Sequence, residues 1–379
     1  MNLALRGLSL RRVWGLIKKE SYQIVRDPSS LIIAFVLPAM LLFLFGTAVS
    51  LDITNLKVGI VLEETNPDVN LFVESFTNSP YFDVTISRDR HKIEKMVLEG
   101  ELRGMVVVPG QFDRDLNKAT PDAKIQVITD GSETNTASFL QNYVTGAWSN
   151  WLNQREAQDG MVFNPPIEIV DRIWYNEDAN SHFYLLPGSI AIIMTLIGTL
   201  LTSLVIAREW ERGTMEALMA TPVSIGEIIC GKIIPYFTLG MCSMILCVII
   251  TVIGFGVPLR GSVWLLMLVS ALYLGTALSM GLLISTVAHN QFVASQISLY
   301  VAYLPSFLLS GFIFEISSMP IILRGITYFI PARYFVNNLQ TLFLTGDVFK
   351  LIFMNCLWVG LFGIVLMYLV VKRVRKRLD

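Results

Sequence analysis

The longest stretch without a charged side chain constrains this fold most. Residues 261–314 contain no Asp, Glu, Lys or Arg over 54 positions. A helix needs about 20 apolar residues to cross roughly 30 Å of hydrocarbon. The run is therefore too long for one crossing and suits two, and the polar triplet at 289–291 is the expected turn between them. This stretch predicts a membrane protein.

Shorter runs of the same kind occur on both sides of it. They lie at residues 28–51, 183–207, 233–259 and 351–371, and each is free of Asp, Glu, Lys and Arg. Each is long enough for one crossing. Together with the two crossings in 261–314, they predict an α-helical membrane protein with six transmembrane helices.

The charged residues are concentrated in one part of the chain. Residues 52–182 hold 11 Lys/Arg and 21 Asp/Glu, so 32 of 131 positions are charged. That share is ordinary for a soluble domain, where about a quarter of residues are charged. The other 248 residues hold only 27 charges, too few for a soluble surface. One soluble, cysteine-free domain is therefore predicted between the first and second membrane helices.

The positions of Lys and Arg predict the orientation, because cytoplasmic flanks are enriched in them. With the N-terminus inside, the inner flanks carry 14: Arg6, Arg11, Arg12, Lys18, Lys19, Arg26, Arg208, Arg212, Lys232, Lys372, Arg373, Arg375, Lys376 and Arg377. The outer flanks carry four: Arg260, Arg324, Arg333 and Lys350. Both termini are predicted inside and the inserted domain outside. The chain has no Asn-x-Ser/Thr acceptor, which favours a multi-pass protein of the bacterial inner membrane.

Within 52–182, apolar β-type runs alternate with helical patterns. Strands are predicted at 56–62, 82–86, 104–108 and 124–129, with one more at 167–175. Helical patterns fall at 67–77, 89–101 and 132–156, with a shorter turn at 112–118. This alternation predicts a small α/β sheet.

The inserted domain carries no recognisable catalytic signature. Its histidines are His91 and the boundary residue His182, and no cysteine accompanies them. Neither metal-ligand spacing nor a Gly-x-Ser-x-Gly elbow occurs. The aromatic stripe on the long helix at 132–156 is better interpreted as core than as a ligand platform. A gating or partner-docking role stays open.

The predicted membrane helices also lack the groups that drive transport. Ion-coupled transporters keep acidic, basic or histidine side chains at membrane depth, and the predicted runs contain no Asp, Glu, Lys or Arg. Residues 226–233 fit part of a phosphate-binding loop, but Ile233 stands where Ser or Thr is needed, and helix-forming residues replace the glycine-rich turn. The chain is therefore predicted to be a non-enzymatic subunit, driven by a motor in another chain.

The predicted cytoplasmic loop at 208–232 is the place for such a motor to act. A short helix at 214–220 is expected to expose Met215, Leu218 and Met219, after an interruption at Gly213. Thr221-Pro222 resembles an N-cap followed by proline, and the pair Ser224 and Glu227 suits a capping box one turn later. A socket for a partner protein and an ordinary polar turn are both consistent with this composition.

Several motifs resemble a known family, the ABC-2 type transporter permeases. The loop carries Arg208-Glu209-x-Glu211-x-Gly213-Thr214-Met215-Glu216-x-Leu218-x-Ala220-Thr221-Pro222. Agreeing stretches are Lys19-Glu20 to Arg26-Asp27-Pro28, Asp130-Gly131-Ser132 with Asn135-Thr136-Ala137, Leu309-Ser310-Gly311-Phe312 to Met319-Pro320, and Pro331-Ala332-Arg333-Tyr334. The resemblance covers essentially the whole chain.

The resemblance implies partners beyond this chain. Such permeases pair with a second six-span permease, identical or homologous, and with cytoplasmic ABC ATPase subunits that bind ATP and Mg; this chain itself needs no cofactor and no nucleic acid. The loop motif implies coupling to the ATPase through Arg208, Glu209, Glu211, Gly213, Thr214, Met215, Glu216, Leu218, Thr221 and Pro222. A helix near 10–26 would lie on membrane lipid, and its Val13, Trp14 and Ile17 suit an interfacial position. Family substrates include drugs, lipids and polysaccharides, and this branch is associated with multidrug export.

The predicted organisation has a gate at the far side of the membrane. Its candidate residues are Gly311, Phe312, Pro320, Pro331 and Tyr334, within a partly re-entrant region at 311–334 that could equally be a plain loop. The predicted domains are an interface helix at 1–28, membrane helix 1 at 29–51, an external α/β domain at 52–182, and membrane helices 2–6 at 183–379 with the coupling loop at 208–232. The alternative function is a membrane-anchored sensor or assembly scaffold with a ligand-binding external domain.

Overall fold

The computed structural model describes residues 9–47, 55–64, 66–79, 81–116, 124–129, 134–158, 175, 180–288 and 290–373. The predicted strand at 167–175 lies outside them except for Tyr175, and so do His289 and the motif at 130–132. The chain divides into two compact units. One contains Met1–Ser50 and Ile173–Asp379, and the other contains Leu51–Arg172.

Six helices of the first unit are long and apolar enough to cross a membrane. They are Pro28–Thr47, Ser181–Glu211, Ile225–Gly254, Val263–Val287, Gln291–Leu309 and Phe349–Arg373, here numbered spans 1 to 6. Spans 4 and 5 arise from the 54-residue uncharged run, and the helical backbone stops at Ala288 between them. The prediction of a helical membrane protein with six spans is confirmed.

Span 3 differs from its predicted range of 233–259 at both ends. Its helix begins eight residues earlier, because Ser224 accepts from the backbone N–H of Glu227 while the Glu227 carboxylate accepts from the backbone of Ser224. It ends at Gly254, shortly before Gly256, which adopts a positive φ of 68°. Glu227 and Lys232, which the prediction left in the loop, therefore lie within the helix.

Span 2 forms the centre of the first unit. In the most apolar 18-residue stretch of span 2, 89% of the residues are buried within the protein, whereas the corresponding share in span 6 is 11%. Small residues allow span 4 to approach it closely: a Cβ added to Gly281 would lie 2.9 Å from the Cα of Thr199. At mid-span the hydroxyls of Thr195 and Tyr273 are hydrogen-bonded, and the Tyr273 ring stacks on Phe335 at 4.1 Å. Span 2 is thus the element against which the others pack.

Three regions outside the spans contain shorter helical segments. The N-terminal helix, Leu10–Val25, lies along span 3, where the missing side chain of Gly231 leaves room for Leu16. The loop helix, Thr214–Met219, joins spans 2 and 3. The predicted re-entrant region contains a 3-10 turn at Ile316–Ser318 and helices at Ile321–Thr327 and Pro331–Gln340.

The helix Pro331–Gln340 is packed into the bundle and does not lie on its surface. Ala332, Phe335, Val336 and Leu339 are buried, and the helix packs against spans 2 and 6. A stretch of π-helix at Thr341–Thr345 continues it towards span 6. Further π-helical turns lie within spans 1, 3 and 5, at Ile32–Val36, Ile250–Gly254 and Ser298–Tyr303.

The second unit contains a four-stranded sheet. Its strands are β1 (Leu56–Leu62), β2 (Phe82–Ser87), β3 (Gly104–Val108) and β4 (Gln126–Thr129), in the order β2-β1-β3-β4. β1 runs parallel to β2 and β3, and β4 runs antiparallel to β3. The helices are Pro67–Thr77, Arg90–Leu98, Phe112–Leu116 and Thr134–Gln158.

Alternate residues of the central strands pack into two separate hydrophobic cores, one on each face of the sheet, because successive side chains of a strand point to opposite faces. Val106 packs in one core with Phe72 and Trp151, whereas Met105 packs in the other with Ile93. Trp151 is 1% exposed and lies against Phe72 at a ring distance of 5.5 Å. The interpretation of the aromatic stripe on the long helix as core is confirmed.

Candidate functional site

The loop between spans 2 and 3 is a defined turn and short helix. Span 2 ends because Gly213 adopts a left-handed conformation, with φ of 68°, and its N–H donates to the carbonyl of Trp210. The interruption predicted at Gly213 and the short helix predicted at 214–220 are confirmed. The prediction of Thr221 as a helix N-cap is wrong, because Ser224 caps span 3 instead.

Met215 seats the loop helix on the ends of the spans. It is 2% exposed and packs among Ile206, Ile229, Leu282 and Val370, which belong to spans 2, 3, 4 and 6. The prediction that Met215 is exposed is therefore wrong, and Leu218 is half-buried against the same cluster. The side chain of Met219 lies outside the described part of the chain. Met215 and Leu218 thus contact side chains of this protein, and a socket for a partner at this loop stays a prediction.

The outward surface of the loop is charged instead. Glu211, Arg212 and Glu216 are exposed, together with the small side chain of Ala217. The guanidinium of Arg12, from the N-terminal helix, donates to the carbonyl of Pro222 at 2.6 Å and so borders this surface. We call the exposed face of Glu211–Ala220 the loop surface.

Beneath the loop surface lies a four-charge cluster of Lys19, Glu20, Glu209 and Lys232. The Nζ of Lys232 lies 2.9 Å from a Glu20 carboxylate oxygen and 3.1 Å from one of Glu209. The Nζ of Lys19 lies 2.7 Å from Glu209 and 3.3 Å from Glu20. Two cations and two anions therefore alternate, and each carboxylate contacts both ammonium groups.

Burial makes this cluster a strong constraint. Glu20 is 2% exposed, and Glu209 and Lys232 are each 4% exposed. A buried ion has lost its hydration, so it is stable only while its partners stay in place. Burial alone would lower the pKa of Lys19, but the Glu209 and Glu20 carboxylates raise it, so Lys19 stays charged. The cluster thereby holds the N-terminal helix to the facing ends of spans 2 and 3.

The loop helix is attached to the cluster directly. The hydroxyl of Thr214, the first residue of the loop helix, donates to the Glu209 carboxylate. On the other side of the loop, the Glu227 carboxylate accepts the backbone N–H of Ser9 at 2.8 Å. The region between spans 2 and 3 is therefore linked to the N-terminal segment at two places, through Thr214 and the four-charge cluster and through Glu227 and Ser9.

A second polar chain extends from span 1 to span 5. Arg208 donates to Asp27 at 2.9 Å and to Gln291 at 3.2 Å, and Gln291 donates to Glu211 at 2.7 Å. Asp27 precedes span 1, Arg208 and Glu211 belong to span 2, and Gln291 begins span 5. Four residues thus connect three spans at the same end of the bundle.

The lowered pKa of Asp27 indicates that its carboxylate is stabilised by these polar contacts. Burial alone would raise the pKa, but the hydroxyls of Ser29 and Ser30 and then the Arg208 guanidinium lower it from 3.8 to about 2. A lowered folded-state pKa adds stability that is complete above about pH 4 and is lost as the pH falls towards about 2. The link between Asp27 and Arg208 is therefore intact at neutral pH.

Sequence reasoning found one side of this site and missed the other. Arg208, Glu209, Glu211 and Thr214 are predicted as coupling residues. The structure places Glu209 and Thr214 in the four-charge cluster, and Arg208 and Glu211 in the second set of polar contacts. Their partners Lys19, Glu20, Asp27, Lys232 and Gln291 were not predicted as site residues. The available signal was an acidic residue within the basic helix at 10–26 and a lysine next to an apolar run.

The gate candidates lie at the opposite end of span 2. Phe312 is 1% exposed and packs edge-on against Phe45 at 5.4 Å, and the carbonyl of Gly311 accepts the hydroxyl of Tyr184. Pro320 and Pro331 stand at the starts of the helices Ile321–Thr327 and Pro331–Gln340, and Tyr334 is buried in the second. Their role as a gate stays a prediction.

Comparison with known proteins agrees with this architecture. A family model described as "ABC-2 family transporter protein" matches residues 28–372. The chain is 48% identical over 372 residues to the probable multidrug ABC transporter permease YbhS of Escherichia coli (strain K12), covering 98% of this chain and 99% of that one. It is 28% identical to the probable permease YbhR of the same strain, covering 92% and 93%. The inner membrane transport permease YhhJ of that strain is also 28% identical, covering 71% and 72%.

Proposed function

Because this chain belongs to the ABC-2 family of transporter proteins, we propose that it is the permease subunit of an ABC exporter driven by a separate ATPase. Its transport function follows from the family and from six apolar helices. The ATPase partner, the direction of transport and the substrate are our proposals. A second permease, identical or homologous, completes the proposed pathway.

One observation supports the proposed coupling: the loop helix is fixed to several spans at once. Met215 anchors it among spans 2, 3, 4 and 6, and Thr214 ties it to the four-charge cluster. A force applied to the loop surface would therefore act on the bundle as a whole. In the proposed mechanism, ATP-driven closure of two ATPase subunits pushes on this surface, and the spans rock to open the pathway outward.

An apolar or amphipathic substrate suits the chemistry of the spans. Charged side chains in spans 2 and 3 are confined to the loop end, where Lys232 pairs with Glu209 and Glu20 and Arg208 pairs with Asp27. A drug-like molecule crossing between two such permeases would meet mostly apolar and hydroxyl groups. The name of the YbhS relative contains "multidrug", and we extend that substrate class to this chain as a proposal.

The proposed orientation places both termini in the cytoplasm and the unit at 51–172 in the periplasm of a bacterial inner membrane. It predicts opposite reactivities for two engineered cysteines, Glu99→Cys and Arg212→Cys, in a background lacking the four native cysteines. Both positions are exposed. A membrane-impermeant maleimide applied to spheroplasts is expected to label position 99 at once and position 212 only after lysis. The reverse pattern would contradict the orientation.

The proposed function is tested by reconstitution with its partner. Affinity purification of the full chain from its native membrane, followed by mass spectrometry, is expected to recover an ABC ATPase. Proteoliposomes of the complex should accumulate a fluorescent amphipathic drug only with ATP and Mg, whereas the chain alone should hydrolyse no ATP. Recovery of a kinase or a secretion machine in place of an ATPase would contradict the proposal.

A further inference from the structure

At the end of the bundle opposite the loop helix, a polar cavity opens between spans 2 and 6 and the helix Pro331–Gln340. Its volume is about 360 Å³. Two groups in its wall lack a hydrogen-bond partner among the described residues: the Oγ of Ser310, a residue only 1% exposed, and the buried Nε2 of Gln340. Buried polar groups rarely go unpaired in folded proteins. Beside the cavity, Ser310 and Gln340 therefore each keep a buried hydrogen-bonding group that the described residues leave unpaired.

The cavity also presents one negative and one positive side chain. Glu315 and Arg333 both line it. Within the described part of the chain they form no ion pair with each other or with any other residue. Arg333 is held in place by the hydroxyl of Thr327 and by the Tyr328 ring, whose centroid lies 4.0 Å from its guanidinium carbon. A single ligand that pairs with both the Glu315 carboxylate and the Arg333 guanidinium must have one positively and one negatively charged group.

An apolar groove of about 440 Å³ lies next to this cavity and shares one lining residue with it. Tyr334 lines both, and the groove is otherwise formed by apolar and aromatic side chains of span 6 and the re-entrant region, including Phe329, Trp358 and Phe362. Phe329 is 76% exposed. Such a surface suits a hydrocarbon chain rather than water.

The two sites follow one another along span 6. Leu351 and Asn355 line the cavity, and Trp358 to Val365 line the groove. At 1.5 Å per residue, Leu351 and Val365 are separated by about 21 Å along the helix axis. Half of the hydrocarbon thickness is about 15 Å. A headgroup in the cavity would therefore lie near the membrane surface, with a chain in the groove directed towards the middle of the bilayer.

We propose that the cavity and the groove together form a binding site for a glycerophospholipid whose headgroup carries both a phosphate and a primary ammonium. Arg333 pairs with the phosphate, and Glu315 accepts from the ammonium. Ser310 and Gln340 donate to the remaining oxygens, and one acyl chain lies against Trp358 and Phe362. A second copy of this chain is the less suitable occupant, because an apolar protein surface would leave Glu315 and Arg333 uncompensated.

The test measures lipid retention by the full chain, without the ATPase, so its result is independent of the proposed export function. Native mass spectrometry of the purified protein, with phosphatidylethanolamine and phosphatidylglycerol added separately, gives the affinity for each. The wild-type chain is expected to bind phosphatidylethanolamine at least about tenfold more tightly, since a hydrogen bond between charged groups is worth that much. Equal affinities in the wild-type chain would overturn the proposal without recourse to any variant.

Two variants then test which lipid group each charged side chain contacts. Glu315→Gln is expected to abolish the preference for phosphatidylethanolamine over phosphatidylglycerol. Arg333→Gln is expected to lower the affinity for each of the two lipids by at least about tenfold. The matched control is Arg324→Gln, an exposed arginine of the same region that does not line the cavity, and it should bind as the wild type does. Unchanged lipid binding in both cavity variants, or lipid-free dimers that cover the groove, would contradict the site.

Discussion

Replacing Lys232 by methionine is expected to destabilise the folded chain by about 3–5 kcal/mol. The Nζ of Lys232 lies within 3.1 Å of carboxylate oxygens of both Glu20 and Glu209. Without it, two buried carboxylates remain with one partner, Lys19, whose side chain is 45% exposed. The free energy of unfolding, measured by denaturant titration of the purified chain in mixed micelles, checks this value. Lys350→Met makes the same substitution at an exposed site and should change it by less than about 0.5 kcal/mol.

A double variant separates charge imbalance from lost packing. Glu20→Gln combined with Lys232→Met removes one anion and one cation, so that Lys19 and Glu209 remain as a pair at 2.7 Å. We expect the double variant to recover at least half of the stability lost in Lys232→Met, because coupled charges are strongly non-additive. A loss below about 1 kcal/mol in Lys232→Met, or no recovery in the double variant, would show that the cluster does not hold these helices together.

The spans and the strands could be predicted because their signals are local. A helix that crosses a bilayer must be apolar over about 20 consecutive residues, and the uncharged run at 261–314 met that condition twice. The strands at 56–62 and 104–108 have the predicted bounds, since β-type composition and length are also read from neighbouring residues. The uncharged run alone places the start of span 3 eight residues too late, because the capping box predicted at Ser224 and Glu227, which the structure confirms, extends the helix through two charged residues.

The four-charge cluster could not be predicted, because the pairs that join its two halves are formed by the fold. Glu20 and Lys232 are 212 positions apart, and Lys19 and Glu209 are 190 apart. A single sequence contains no signal that brings such residues together. Composition likewise suggested an exposed Met215, but the turn at Gly213 directs that side chain into the span ends. The loop could thus be predicted as a functional region from its sequence, whereas the prediction of which side chains of its helix are exposed to solvent was wrong for Met215.

Reversing the charge of Glu216 is expected to uncouple transport while leaving the fold intact. Glu216 is exposed on the loop helix and forms no ion pair within the described residues. An exposed substitution of this kind changes stability by about 0.5 kcal/mol or less, whereas a reversed charge at a protein interface can cost several kcal/mol. Glu216→Lys should therefore reduce the co-purified ATPase at least about tenfold and abolish ATP-driven drug uptake.

Two companion variants make this result specific to the loop surface. Glu101→Lys reverses an exposed charge in the other unit and should leave ATPase recovery unchanged. Met215→Ala removes a buried anchor of the same helix and should lower the free energy of unfolding by about 2–5 kcal/mol, a loss that Glu216→Lys should not show. If Glu216→Lys retained full ATPase recovery and uptake, Glu216 would have no part in coupling. The buried anchor Met215 and the hydrogen bond from Thr214 to Glu209 would then be the remaining route for force into the spans.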